Sequence, residues 1–394
     1  MIKLSIAGAT GSIGRQGLEV ASWFPDKIKI VALSAGRDWQ GLAALARQYR
    51  PAVVALADES GYGRLKAELA DLPGLSLLAG EAGLTRAAAW EEADTCLAAI
   101  SGQAGLPPLI AAMQAGKQIC LANKEALVAA GPLVTGLAKK QGLRLRPVDS
   151  EHSAIWQCLA GEDPAQVERL LLTCSGGAFR ELSREQLQSV TAAQALKHPN
   201  WRMGGKITVD CATLVNKGLE VIEAHWLFGL DYDKIQVLIH PQSVVHSLVA
   251  FGDGSFKAQL GPADMRLPIQ YALFDQERPL NPSPRLDLAA VGRLDFYPPD
   301  GERFPGLPLL VEAGRRGGLV PAYLSAANEA LVQAFLQGRL PFLAIGSSLA
   351  SLLAQAPAGE AEELSQVLAA GRAGYEAGRA VAQEAVLQEE VHLC

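Results

Sequence analysis

The fold of this chain is decided near its start by the stretch IKLSIAGATGSIG, residues 2–14. Its first six residues predict a β-strand, and glycines 8, 11 and 14 follow at once. Glycines at this spacing let the backbone turn tightly beside a pyrophosphate, and a helix from about Ser12 directs its positive N-terminal end at that anion. The stretch therefore predicts a nicotinamide dinucleotide site, although an ordinary strand-to-helix turn uses the same residues.

The end of the second predicted strand bears on which dinucleotide binds. Residues 28–33, IKIVAL, lead into Ser34-Ala35-Gly36-Arg37. In such folds a carboxylate at this place usually holds the ribose 2′-hydroxyl, and it would repel a 2′-phosphate, whereas Arg37 can bind that phosphate with two hydrogen bonds. The sequence therefore favours NADP over NAD; the plain alternative for Arg37 is a solvated surface charge.

Short apolar runs alternate with helical stretches over residues 1–150. This alternation predicts a parallel sheet with helices on both faces, whose ligands bind beyond the carboxyl ends of the strands. The predicted strands are 2–7, 28–33, 52–57, 75–79, 95–100, 117–122 and 143–148, and helical spacing marks 42–49, 61–69 and 106–115.

The pattern changes after residue 150 and predicts an α+β domain with a largely antiparallel sheet. Asp253-Gly254 predicts a hairpin turn between its last two strands. Seven prolines between 279 and 308 predict an extended linker that is not a packed element, and the Ala/Leu-rich remainder predicts a helical bundle. The predicted strands are 167–173, 206–210, 235–240, 243–251 and 255–260, with helices at about 152–160 and 211–228.

Composition bounds the class of protein. With 394 residues, 49% hydrophobic and 19% charged, the chain has the make-up of a globular enzyme with two or three domains. A net charge of −6 argues against nucleic acid or an anionic membrane as the main partner. The six cysteines show no zinc or disulfide spacing, and no signal peptide or membrane span is visible, so we expect a cytoplasmic protein.

Two acidic segments are candidate metal ligands. Asp149 and Glu151 follow a predicted strand, and in an extended chain their side chains point the same way, which a shared cation would stabilise. Asn216 and Glu220 share a helix face, flanked by Lys217. Three carboxylates suit Mg²⁺ or Mn²⁺ and disfavour zinc. The alternatives are a solvated loop edge and the polar side of a helix.

Three further segments are candidates for substrate binding. Ser175 opens a Gly-Gly turn that can hold a phosphate, or that is simply a turn. Lys124 follows a strand of the first sheet and is predicted to reach the nicotinamide cleft, unless it is a surface lysine. His198 and Trp201, in a segment that ends in paired glycines, predict a lid over the substrate or else a small cluster beneath a loop.

Taken together these motifs resemble the 1-deoxy-D-xylulose 5-phosphate reductoisomerase family. The resemblance runs from residue 1 to about 275 and continues more loosely through 325–336. The segments that carry it are GATGSIG, LANKEAL, PVDSEHSAIWQ, SGGAFRE, KHPNWRMG, DCATLVNKGLE, IHPQSVVHSLV and ADMRLPIQYAL.

The resemblance implies a fold and a division into domains. The chain would begin with a Rossmann-like, doubly wound parallel α/β sheet that binds NADPH (1–150). A central α+β catalytic domain with a lid loop (151–278), a Pro-rich linker (279–310) and a C-terminal helical bundle (311–394) would follow. The family also suggests a homodimer, acting on a small sugar phosphate without nucleic acid or membrane.

The resemblance also assigns roles to residues. NADPH would contact Thr10, Gly11, Ser12, Ile13, Gly36, Arg37, Asp38, Asn123, Glu125 and Gly204. The metal would be bound by Asp149, Glu151 and Glu220. The substrate would contact Lys124, Ser150, Glu151, Ser175, His198, Trp201, Cys211, Asn216, Lys217 and Glu220. Lys124, His198 and the three metal-binding carboxylates would be catalytic.

The implied reaction has two stages. The carbon skeleton rearranges, by a retro-aldol/aldol route in the usual account, and NADPH then reduces the resulting branched aldehyde to 2-C-methyl-D-erythritol 4-phosphate. One departure concerns this site: Cys211 stands where the family has serine. Two other readings remain: a simpler NADP-dependent dehydrogenase that needs no metal, and a non-catalytic NADP-sensing module.

Overall fold

The computed structural model describes residues 1–197, 200–201 and 203–393, with side chains to residue 384. His198, predicted to be a lid residue, lies outside the described residues. The chain divides into two compact units. The first unit comprises Met1–Ala126, Val134–Ser153 and Asp264–Pro284, and the second comprises Leu127–Leu133, Ala154–Ala263 and the chain from Arg285 onward. The predicted domain limits remain a prediction.

A seven-stranded parallel sheet forms the first unit, and all seven strands were predicted from apolar runs. Its strands are β1 (Ile2–Ala7), β2 (Ile28–Ala35), β3 (Val53–Leu56), β4 (Ser76–Ala79), β5 (Thr95–Ala98), β6 (Gln118–Leu121) and β7 (Leu145–Pro147). Their order is β4-β3-β2-β1-β5-β6-β7, with every pairing parallel. The order reverses between β1 and β5, the place where ligands bind in such sheets.

Helices alternate with these strands, as a parallel sheet requires. They are α1 (Ser12–Trp23), α2 (Trp39–Tyr49), α3 (Glu59–Glu68), α4 (Gly80–Ala88), α5 (Leu106–Gln114), α6 (Lys124–Gln141) and α7 (Ser150–Cys158). Helix α6 is kinked at Ala130, whose φ is −135°, because Pro132 removes one backbone donor from the helix.

The second unit contains a four-stranded sheet in the order β11-β10-β8-β9. Its strands are β8 (Val167–Cys174), β9 (Ile235–Ile239), β10 (Val245–Phe251) and β11 (Phe256–Leu260), and the helices between them are α8 (Arg184–Leu187), α9 (Ala192–Ala195), α10 (Gly205–Ala212) and α11 (Val215–Phe228). Strand β10 is antiparallel to β8 and β11, while β8 and β9 are parallel. Gly254 has a φ of +87° in the predicted hairpin turn.

The remaining helices complete both units. Helix α12 (Arg266–Leu273) belongs to the first unit, where Phe274 packs edge-on against Phe24 with ring centroids 4.8 Å apart. The others are α13 (Leu288–Val291), α14 (Gly306–Arg316), α15 (Val320–Leu336), α16 (Phe342–Ala354) and α17 (Leu364–Leu393). Helices α14, α15 and α16 share one hydrophobic core with α11 and β8. Among the described residues, no helix combines the length and apolarity needed to cross a membrane.

Three local predictions need correction. Residues 206–210 form part of helix α10, not a strand; Lys206 and Asp210 make an ion pair of 2.8 Å at helical i, i+4 spacing. The predicted helix 211–228 is two helices, because Leu214 adopts a left-handed φ of +58° between them. The Pro-rich stretch is not merely an unpacked linker, since it contains α13 and an antiparallel bridge from Tyr297 to Ile239.

Candidate active site

The glycine turn lies where the order of the first sheet reverses. The N–H groups of Gly8 and Ala9 both donate to the carbonyl of Ser34 at the end of β2, at 3.1 and 2.7 Å. A Cβ on Gly8 would lie 2.7 Å from the carbonyl oxygen of Ala99, and one on Gly14 only 2.3 Å from that of Gly8. The turn therefore requires glycine for close approach, as the sequence predicted.

The N-terminus of α1 offers backbone donors to an anion. Gly11 is the N-cap residue and supplies no side chain, and the first turn of α1 carries no acidic residue. Ser12 is exposed, and Thr10 and Ile13 are partly buried. Donors of this kind, with the positive end of the helix dipole, fit a pyrophosphate. The residues present therefore fit a dinucleotide.

At the end of β2, Arg37 is exposed, whereas the Asp38 carboxylate is already engaged. Asp38 caps α2 by accepting from the Gly41 N–H at 2.8 Å, and it pairs with Arg15 at 3.3 Å. Arg15 also donates to the carbonyl of Thr10 at 2.9 Å. Pairing with Arg15 reduces the repulsion that Asp38 would exert on a phosphate. Sequence reasoning did not select Arg15; its position directly after Gly14 was the available signal.

Strand β6 is followed by the predicted residues Asn123, Lys124 and Glu125. The Asn123 side chain is buried, accepts from the Ala126 N–H at 3.2 Å and donates to the Gly102 carbonyl at 3.0 Å. It thereby fixes the start of α6, on whose first turn Lys124 and Glu125 lie. The structure thus gives Asn123 a capping role, and its contact with NADPH remains a prediction.

Lys124 and Asp149 form a largely buried ion pair, with Nζ 2.6 Å from Oδ2. The Ser150 hydroxyl donates to Glu151 Oε2 at 2.6 Å, and carboxylate oxygens of Asp149 and Glu151 lie within 4.8 Å of each other. Helix α7 begins at Ser150, so the predicted extended backbone between these two residues is wrong although the carboxylates do converge. Close carboxylates beside one lysine suit a divalent cation with oxygen ligands.

In the second unit the first turns of α11 bring together three buried polar side chains. Asn216 Nδ2 donates to Glu220 Oε1 at 2.5 Å, and Lys217 Nζ pairs with Glu220 Oε2. Lys217 and Glu220 are 2% and 1% exposed. A charged group this deeply buried is stable only when paired, so the contacts from Lys217 and Asn216 hold the carboxylate in place.

The turn that follows β8 lies in the same unit. Ser175 is buried, and its Oγ accepts from the Gly177 N–H at 3.2 Å. Gly177, with a φ of +75°, approaches helix α10 so closely that a Cβ would lie 2.5 Å from the Cys211 carbonyl oxygen. The structure therefore brings the Ser175 turn to the backbone of Cys211, and both residues were predicted to contact the substrate.

The predicted lid is described only in part. Asn200 Nδ2 donates to the carbonyl of Pro241 at 2.6 Å and to Ser243 Oγ at 2.8 Å. The ring of Trp201 lies 6.1 Å from that of His246, whose pKa is lowered by burial. Gly204 is the N-cap of α10 and accepts from the Thr208 N–H at 3.1 Å. Sequence reasoning missed Asn200 and Ser243, although both lie in motifs that carry the resemblance.

Comparison with protein families gives three matches that together span most of the chain. Residues 4–131 match the model described as 1-deoxy-D-xylulose 5-phosphate reductoisomerase. Residues 145–228 match its C-terminal domain, and residues 260–376 match a model described as DXP reductoisomerase C-terminal domain.

Curated relatives and solved structures carry the same name. The reductoisomerase of Pelotomaculum thermopropionicum is 51% identical over 94% of this chain and 96% of its own, and that of Thermomicrobium roseum is 49% identical over 97% of both. The Zymomonas mobilis enzyme in complex with NADPH superposes with a TM-score of 0.90 at 39% identity, covering 97% of this chain and 99% of its own. A reductoisomerase bound to NADPH, fosmidomycin and magnesium gives 0.92 at 39% identity over 99% of both chains.

Proposed function

Because the chain belongs to the 1-deoxy-D-xylulose 5-phosphate reductoisomerase family, we propose that it converts this sugar phosphate into 2-C-methyl-D-erythritol 4-phosphate in the non-mevalonate isoprenoid pathway. The observation that carries the proposal is the agreement in fold and sequence over nearly the whole chain with reductoisomerases solved with NADPH and magnesium. One NADPH and one proton are consumed for each substrate, because the product is two electrons more reduced.

NADPH is proposed to bind across the end of the first sheet. The donors of α1 would receive its pyrophosphate, and Arg37, with Gly36 and Asp38 beside it, the 2′-phosphate. Bound there, NADPH supplies the hydride that reduces the aldehyde carbon. The further contacts are proposed for Thr10, Gly11, Ser12, Ile13, Asn123, Glu125 and Gly204.

A divalent metal ion is proposed to be held by Asp149, Glu151 and Glu220. The donor set is all-carboxylate, as Mg²⁺ and Mn²⁺ prefer, and hydrogen bonds from Ser150 and Asn216 orient two of the carboxylates. When bound, the ion polarises the substrate carbonyl and stabilises negative charge on its oxygens. Lys124 pairs with Asp149 and is proposed to orient the sugar together with Ser150.

The substrate phosphate is proposed to bind in the second unit. Asn216 and Lys217 offer an amide and a cation at the start of α11, Ser175 offers a hydroxyl in the turn after β8, and Cys211 adds a weak donor. Trp201 and His198 are proposed to cover the substrate and to exclude water from the reactive aldehyde. The catalytic assignments of Lys124, His198, Asp149, Glu151 and Glu220 are part of this proposal.

The decisive experiment is a spectrophotometric assay of NADPH oxidation. We expect purified protein with Mg²⁺ or Mn²⁺ to oxidise NADPH only when 1-deoxy-D-xylulose 5-phosphate is added. Treatment with a chelator should abolish turnover, and either metal should restore it. Full turnover in excess chelator would contradict the metal site, and nucleotide binding without oxidation would leave a sensing module instead.

We further infer a homodimer in the cytoplasm. Strand β11 is an edge strand of the second sheet, and Phe256 at its start is 51% exposed. Exposed apolar edge strands tend to pair with another chain. Light scattering after size exclusion should give twice the chain mass of 41.6 kDa. The Phe256→Lys variant should shift the protein towards monomer. A monomeric wild type would contradict the inference.

A further inference from the structure

We propose that His240 is a positioning residue for the substrate site. Hydrogen bonds of its imidazole fix the turn 240–243, and this turn holds Asn200, the neighbour of Trp201. The inference rests on the proposed function, because Trp201 is proposed to cover the substrate. It concerns a residue for which the sequence predicted no role.

The hydrogen bonds of His240 fix its tautomer. Nδ1 lies 2.9 Å from the carbonyl oxygen of Asp295, which can only accept, so Nδ1 carries the proton. Nε2 lies 3.2 Å from the backbone nitrogens of both Val244 and Val245, which can only donate, so Nε2 accepts. The side chain is fully buried. A neutral imidazole is thus bound on both sides by main chain.

Residues 295–297 brace the other side of this histidine, and we call them the brace segment. The Phe296 ring stacks on His240 with centroids 4.7 Å apart and planes inclined by 16°. Tyr297 and Ile239 exchange two backbone hydrogen bonds of 2.8 and 2.9 Å. The Asp295 carboxylate accepts from the amide of Gln242 at 2.6 Å. The brace segment therefore contacts the turn at three places: at Ile239, where the turn starts, at the ring of His240, and at the side chain of Gln242.

The turn is connected to two parts of the substrate site. The N–H of His240 donates to the carbonyl of Cys174 at 2.6 Å, and the next residue is Ser175. Ser243, at the end of the turn, has a strained φ of +50° and presents its hydroxyl to Asn200. Loss of the imidazole bonds would release Ser243 and Pro241, which both accept hydrogen bonds from Asn200.

A positioning role predicts a specific kinetic pattern. His240→Phe keeps the aromatic ring against Phe296 but removes both sets of hydrogen bonds, so we expect KM for the sugar phosphate to rise about tenfold with kcat within about twofold. Asn200→Ala should raise KM about fivefold. The double variant should resemble His240→Phe alone, because both changes act on one connection. His240→Gln, whose carbonyl can accept in place of Nε2, should recover part of the loss.

The matched control is His225→Phe. His225 is also bonded through Nδ1 to a carbonyl, that of Leu230 at 2.7 Å, and stacks on Tyr232 with centroids 4.4 Å apart, but it has no hydrogen bond to the turn 240–243. Its substitution should leave KM unchanged even if the melting temperature falls equally. If His225→Phe raised KM as much as His240→Phe does at the same melting temperature, the rise would reflect general destabilisation. That result would overturn the proposal.

A second measurement needs no turnover. Trypsin can cleave after Lys197 and Arg202, on either side of Asn200. We expect cleavage between 197 and 203 to be about fivefold faster in Asn200→Ala, Ser243→Ala and His240→Phe than in wild type, at temperatures where all remain folded. Cleavage and KM unchanged in these variants overturn the inference. A wild type that fails to oxidise NADPH overturns the proposed function instead, and the cleavage rates still decide the role of His240.

Discussion

Cys211 lies where the Ser175 turn meets helix α10, and it is the residue at which the predicted substrate site departs from the family. The Cα of Gly177 approaches the Cys211 carbonyl, and the thiol side chain is partly exposed. A thiol is a weaker hydrogen-bond donor than a hydroxyl. The position can therefore be tested by restoring the hydroxyl.

We expect Cys211→Ser to lower KM for 1-deoxy-D-xylulose 5-phosphate several-fold, because one improved hydrogen bond contributes about 1 kcal/mol. The KM for NADPH should not change. Cys174→Ser is the matched control. Cys174 is also partly exposed, but it contacts the turn 240–243 through its backbone carbonyl, which accepts from the His240 N–H. Steady-state kinetics on both variants decide the matter: a KM for Cys211→Ser equal to or above that of wild type contradicts a phosphate contact.

Arg37 carries the prediction of NADP over NAD. It is exposed at the end of β2, and the only carboxylate directly beside it in sequence, Asp38, is engaged by Arg15 and by Gly41. We expect Arg37→Ala to raise KM for NADPH about tenfold, since a charge-assisted bond to the 2′-phosphate is lost, and to leave KM for NADH nearly unchanged. Equal losses with both nucleotides would show that Arg37 does not contact the 2′-phosphate.

At the scale of elements, the strand–turn–helix unit β1–α1 depends on the absence of side chains. A Cβ at Gly14 would lie 2.3 Å from the Gly8 carbonyl, so the turn must shift to accept alanine. We expect Gly14→Ala to weaken NADPH binding at least tenfold in a fluorescence titration. The folding of the second unit should change little. Gly63→Ala, on a helix with open space around it, should bind NADPH normally. Normal binding by Gly14→Ala would contradict a pyrophosphate at this turn.

Elements were predictable where local pattern and tertiary surroundings agree. The strands of the first sheet are buried apolar runs bounded by glycine and helix signals, so all seven were found. Residues 206–210, KITVD, have the alternation of a strand, yet they are helical because Lys206 pairs with Asp210 and Asn328 donates to the same carboxylate at 2.8 Å. That last contact comes from helix α15, more than a hundred residues later, and no local pattern contains it.

The candidate site shows the same limit. Carboxylates at 149, 151 and 220 stand out by type and spacing, so they could be selected from the sequence. His240 could not, because its role depends on the brace segment 295–297, which proline content predicted to be an unpacked linker. Resemblance supplied residue roles that spacing alone left open, but it gave none to Asn200 or Arg15.

At the scale of the whole molecule, two of the buried histidines, His240 and His246, couple stability to pH. Burial lowers the pKa of His240, although the attraction of the nearby Asp295 carboxylate opposes this shift. Burial also lowers the pKa of His246, to which Lys217 and His240 add repulsion, while contacts with the carbonyls of Pro262 and Gly261 oppose the shift. Both imidazoles therefore stay neutral in the folded chain at pH values where the unfolded chain, with histidines near 6.5, has begun to bind protons.

The stability of the protein should therefore fall as pH drops below about 6.5, by at most about 1.4 kcal/mol per pH unit for each histidine, and should be independent of these groups above about 7.5. Several carboxylates have a lowered pKa, among them Asp264 and Glu185, and their contribution to stability is lost only below about pH 5. A change in stability between pH 5 and 6.5 therefore reports on the histidines. Chemical unfolding at pH 5.5 and 7.5 measures the difference in the free energy of unfolding, and this difference should be smaller in His240→Phe than in wild type. Equal unfolding free energies for wild type at the two pH values would mean that these imidazoles are not held neutral, and the tautomer that fixes the turn 240–243 would then lose its physical basis.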